Sequence, residues 1–180
     1  MTAAKKPAAK KPAAKKAPTP RVVPRRTWGA SAPLGPPMPM PARDVYVHHS
    51  VTVATANPHA DMRAIERVGV ARFGQMSYSY AIHPDGTIME GAGLTVGAHT
   101  LHHNWHGFGI VLIGNYDRQT PTGAQGVALV SLVAHLNRAG ALADGYTMAG
   151  HRKVKATACP GANVPDRLVA DWHKVAVVGK

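Results

Sequence analysis

The chain has 180 residues, room for one domain of ordinary size, and a formal net charge of +12. The charge is uneven: residues 1–26 hold nine Lys/Arg and no acid, which leaves a body that is only mildly basic and does not imply a nucleic-acid-binding core. A single cysteine, Cys159, excludes a disulfide-stapled scaffold, and no apolar run is long enough to cross a bilayer.

The chain opens on a short repeat, KKPAA (5–9), KKPAA (10–14) and KKAPT (15–19). Its like charges repel and it has little apolar surface to offset the entropy of ordering, so residues 1–22 are predicted to be a disordered tail ahead of one domain over 23–180. Such a tail can bind anionic wall polymers, a membrane surface or nucleic acid, or act as a solubilising linker. The N-terminus lacks the continuous apolar region of a secretion signal. Residues 22–43 are rich in Pro and Gly and read as an irregular surface segment anchored by Trp28.

The run DVYVHHSV then predicts a buried strand over Val45–Val51. PHADMRAIERVGVARF (58–73) follows as a helix, with Met62, Ile65, Val68 or Gly69, and Arg72 or Phe73 at helical spacing. SYSYAIHPDGTIMEGA reads as a hairpin turning at Pro84-Asp85-Gly86, with Tyr78 at its entry. FGIVLIG (108–114) is a continuous apolar strand buried on both faces. A helix starts at Thr120-Pro-Thr, runs to about Arg138 and is ended by Gly140. A short strand near Tyr146–Ala149, the loop GHRKVKATACPG and a helix over about Val164–Val175 complete the chain. Strands interleaved with helices predict an α/β fold, a single domain with a central mixed β-sheet flanked by helices.

Eleven histidines are too many to be all functional. His48 lies in a core strand, and His151 and Cys159 sit in one loop just after another strand. Imidazole nitrogen and thiolate sulfur are the ligands zinc prefers, and three of them leave a fourth position open, the catalytic pattern. On residue types alone the trio is equally compatible with satisfied core histidines and an inert thiol. A Cys159 nucleophile activated by histidine is a further reading. His48 and His49 point to opposite faces of a strand, so only one faces a given site, and spacing does not say which.

Five segments in order, RTWGA (26–30), VYVHHSVT (45–52), SYSYAIHPDGTIMEG (77–91), VGAHT through Asn104 to FGIVLIGN (96–115) and GHRKVKATACPG (150–161), resemble the type 2 N-acetylmuramoyl-L-alanine amidases. That family includes phage lysozyme-type amidases and peptidoglycan recognition proteins, and the resemblance covers roughly residues 22–175. It implies Zn2+ held by His48, His151 and Cys159, with His49 packed beside them. It places catalytic roles on Tyr78, favoured for oxyanion stabilisation, and on Thr157, which stands where phage-type members usually carry Lys. Its implied reaction is metal-assisted attack of water on the amide joining N-acetylmuramic acid to L-alanine, with bacterial peptidoglycan as partner and a monomeric enzyme. His99 and Asn104 are assigned to the substrate groove. Two departures stand out: Lys153 replaces an acid common after His-Arg, and His102-His103-Asn104 replaces the usual Gly-Tyr-Asn. Members that bind peptidoglycan without cutting it typically lose the cysteine, which is kept here. With no secretion signal, the expectation is a phage endolysin made in the host cytoplasm and acting on the cell wall after release.

Overall fold

The computed structural model describes residues 19–178. Most of the expected tail, residues 1–18, lies outside the described residues, whereas its last residues lead directly into the sheet. Six strands, β1 (Val22–Val23), β2 (Ala42–His49), β3 (Tyr80–Ile82), β4 (Ile88–Glu90), β5 (Gly107–Leu112) and β6 (Leu142–Gly150), form one sheet in the order β1-β4-β3-β5-β2-β6. Strand β4 is antiparallel to β3 and parallel to β1, and β3, β5, β2 and β6 run parallel, so the sheet is mixed as expected. Four helices accompany it: α1 (Arg25–Trp28), α2 (Pro58–Phe73), α3 (Gly123–Arg138) and α4 (Asp166–Val178).

Residues 22–43 are less irregular than their Pro content suggests. They supply β1 and the single turn of α1, and Trp28 is buried with its indole N–H donated to the Glu90 carbonyl at 2.9 Å. The strand expected over Val45–Val51 begins earlier and stops at His49, because Val51 takes a left-handed conformation, φ 61°. Helix α2 spans the expected residues. Asn57 caps it by accepting the Ala60 N–H, Pro58 fits its first turn, and Gly74 closes it with φ 72°. Of the alternatives at its apolar stripe, Gly69 faces inward with Met62 and Ile65, while Val68 and Phe73 are exposed. Thr122 and Gln125 make a reciprocal capping box at the start of α3, which ends just before Gly140, φ 73°. Strand β6 starts four residues earlier than read from sequence, since Leu142 already pairs with Ala42 across an irregular register.

Two cores sandwich the sheet. Val45, Val47, Phe108, Ile110 and Leu112 pack beneath α3 and α4 against Leu129, Leu132, Val133 and Val169. On the other face Ala81, Met89, Val111 and Ile113 pack with Trp28, Met62 and Ile65 of α1 and α2. Strand β5 alternates between the two, which is why its sequence is continuously apolar.

Candidate metal centre

Strand register brings the histidines together. Val47 pairs with Gly150, so His48 and His151 emerge side by side from the ends of neighbouring strands, with ring centroids 4.5 Å apart. The loop after β6 is then folded back by Arg152. Its backbone N–H donates to the Cys159 carbonyl at 3.0 Å, and its guanidinium donates to the carbonyls of Ala158 and Gly161. This returns Cys159 to the histidines, with Sγ 3.7 Å from His48 Nδ1. One ligand atom from each of His48, His151 and Cys159 lies within 4.8 Å of the others. A tetrahedral zinc, with bonds of about 2.05 Å to nitrogen and 2.3 Å to sulfur, separates its ligand atoms by about 3.4–3.6 Å. The trio fits such an ion with small side-chain adjustments, and His151 Nε2 is buried with no hydrogen-bond partner among the described residues.

Electrostatics suit metal binding. Burial, reinforced by His99, His151 and His49, holds His48 well below the usual imidazole range. Burial, with Lys155 and His103 nearby, lowers His151 as well, so both rings are neutral and carry free lone pairs at neutral pH. Burial pushes the Cys159 thiol up to about 11, partly offset by the His49 backbone N–H and by Arg152. A cation in this site would reverse that preference by drawing off the proton.

The remaining expected residues divide. Tyr78 enters β3 with its ring 5.2 Å from that of His48, and burial raises its hydroxyl to about 12, so it stays protonated as a donor. Thr157 is exposed, and its hydroxyl oxygen accepts the Cys159 N–H at 3.2 Å, bracing the ligand loop. His99 is buried beneath the site, its ring against that of His48 at 5.4 Å. Asn104 braces the loop above: its Oδ1 accepts the N–H groups of His99 and Thr100 at 3.0 and 2.7 Å. His49 faces the opposite side of the sheet, where its ring stacks on Tyr116 and accepts that residue's N–H. The neighbouring loop histidines are engaged locally, His103 with the Tyr46 hydroxyl and His106 with Asp44. Lys153 pairs with Asp166 at 2.9 Å on α4 and takes no part in the cluster. Thr100, buried between His48 and His99, is a site residue that spacing did not single out, although it lies within the matched VGAHT segment.

A sheet with helices on both faces and an open His-His-Cys cluster at the strand ends define an α/β protein with a candidate metal site. A family model described as N-acetylmuramoyl-L-alanine amidase matches residues 38–162, and the chain belongs to that family. The N-acetylmuramoyl-L-alanine amidase of Homo sapiens is 36% identical over 170 residues, 88% of this chain and 30% of that protein. The chain thus spans under a third of that relative's length. A peptidoglycan-recognition protein of Drosophila melanogaster is 31% identical over 156 residues, 82% of this chain and 85% of that protein. Among solved structures, a mutant of Drosophila PGRP-LB in complex with tracheal cytotoxin superposes with a TM-score of 0.75 at 32% identity, covering 84% of this chain and 92% of that one.

Proposed function

We propose that the protein hydrolyses the amide between N-acetylmuramic acid and L-alanine in peptidoglycan, using zinc held by His48, His151 and Cys159. The observation that carries this reading is the convergence of three zinc-type ligands, two of them neutral imidazoles, beside a protonated tyrosine. Bound zinc would supply Lewis acidity for water and for the scissile carbonyl. The Cys159 thiolate would leave the centre with one net positive charge, suited to an oxygen that becomes negative. Tyr78 donates a hydrogen bond to that oxygen as charge develops, and its buried position keeps its proton in place throughout. Thr157 Oγ1 already accepts from Cys159, so its own hydrogen remains to orient water or substrate at the open rim.

Peptidoglycan as substrate is supported by the amidase and recognition-protein relatives. One structural neighbour was solved with a ligand described as monomeric diaminopimelic acid-type peptidoglycan. Monomeric action on the cell wall, the phage endolysin setting, and wall-polymer, membrane or nucleic-acid binding by the basic tail belong to the same proposal. Incubation with purified peptidoglycan, with and without a chelator, tests it. New L-alanine amino termini, lost on chelation and restored by zinc, are the expected products. New reducing sugar ends, or binding without any new terminus, overturn the amidase reading.

A further inference from the structure

Three buried polar groups behind the metal ligands form a directed chain. His99 Nε2 lies 3.1 Å from the Gly107 carbonyl, which can only accept, so Nε2 carries hydrogen. The ring is buried and penned in against β5, where a Cβ on Gly109 would stand 2.3 Å from its Cγ. Burial disfavours the cation, which leaves Nδ1 with a lone pair and no proton. Thr100 Oγ1, 3.0 Å from that Nδ1, therefore donates its single hydrogen to it. Its oxygen is left only as an acceptor toward His48 Nε2, 3.4 Å away. His48 must then donate from Nε2 and keep Nδ1 bare, and Nδ1 is the atom facing Cys159 Sγ at 3.7 Å.

We propose that Thr100 is a positioning residue for the metal centre: its hydroxyl, oriented by His99, holds His48 as the Nε2–H tautomer and aims Nδ1 at the ion. This deepens the zinc reading above and rests on it for the ion, but the tautomer itself is a property of the metal-free chain. Asn104 supports the arrangement by fixing the backbone on which Thr100 sits. Outer partners of this kind orient ligand rings, and losing one typically lowers metal affinity 10- to 100-fold.

Long-range 1H–15N correlation of the metal-free wild-type protein reads the tautomer directly and requires no variant. A pyrrole-type Nε2 and pyridine-type Nδ1 at His48 are expected. The reverse assignment overturns the proposal whatever the protein's activity. Thr100→Val keeps the shape and removes the hydroxyl, so a mixed His48 tautomer and a zinc Kd about 10- to 100-fold weaker are expected, measured by competition with a chromogenic chelator. Thr100→Ser should restore both. An unchanged tautomer and affinity in a folded Thr100→Val protein also overturns the proposal. Failure of the wild type to bind zinc at all counts against the metal reading instead, and the tautomer measurement still stands.

Discussion

Tyr78 has its ring beside His48, and burial fixes its hydroxyl as a donor across the whole physiological pH range. Removing only that hydroxyl should separate chemistry from metal binding. Tyr78→Phe is expected to keep one zinc per chain and lose about 100-fold in kcat, equivalent to about 3 kcal/mol of transition-state stabilisation. Metal analysis beside steady-state assay of amide cleavage checks it, and loss of zinc would mean the hydroxyl serves metal retention rather than the chemical step. At this scale the sequence was partly informative. Ligand chemistry offered His151 and Cys159 as candidates but left an inert thiol and core histidines equally open. The family resemblance assigned the trio and chose His48 over His49, whose rings lie on opposite faces of β2. Thr100 and the bracing role of Asn104 were not readable, because a hydroxyl's or amide's partners exist only once the loop after β4 has folded over β5.

Strand β5 shows how an element can serve the site without contributing a reactive group. Its glycines at 107 and 109 share a face, and they leave room for the rings of Tyr46 and His99. Gly109→Ala would drive a methyl into the His99 ring. An overpacking loss of about 1–3 kcal/mol is expected, with weakened zinc binding because Thr100 moves with His99. Urea unfolding and chelator competition report the two effects, and a neutral result in both would mean the layer above β5 is soft. The N-terminal segment is held by a second buried arrangement. The Glu66 carboxylate on α2 accepts the N–H groups of Ser31 and Ala32 at 3.0 and 2.7 Å and faces the Arg25 guanidinium at 3.7 Å. Glu66→Ala strands the buried Ala32 N–H and removes the partner of Arg25, so a loss of about 2 kcal/mol is expected in urea unfolding. The helices were legible because caps and turn residues mark their ends, whereas Arg25 and Glu66 look in sequence like ordinary solvated charges. The Pro-rich stretch hid α1 and β1 because their stability comes from docking on α2 and β4 rather than from local propensity.

On the scale of the molecule, charge and chemistry are segregated. The His48–His151–Cys159 cluster and both cores lie within residues 19–178, while residues 1–18 carry six lysines and no acid. Deleting residues 1–18 would halve the formal charge from +12 to +6 without touching any contact described above. Attraction of such a segment to a polyanion is screened by salt, whereas the chemistry proposed for the His48–His151–Cys159 cluster and Tyr78 would be local. The shortened chain is therefore expected to match the full chain in zinc content and in kcat on a soluble muropeptide. Its retention on cell walls should be weaker, and that difference should vanish at high salt or on walls stripped of anionic polymers. Cosedimentation with intact and stripped walls, beside the soluble assay, separates the two contributions. Equal wall retention by both chains would assign adhesion to the folded domain. Loss of soluble activity on deletion, with folding intact, would place part of the catalytic machinery in the basic segment and contradict the site assigned to His48, His151 and Cys159.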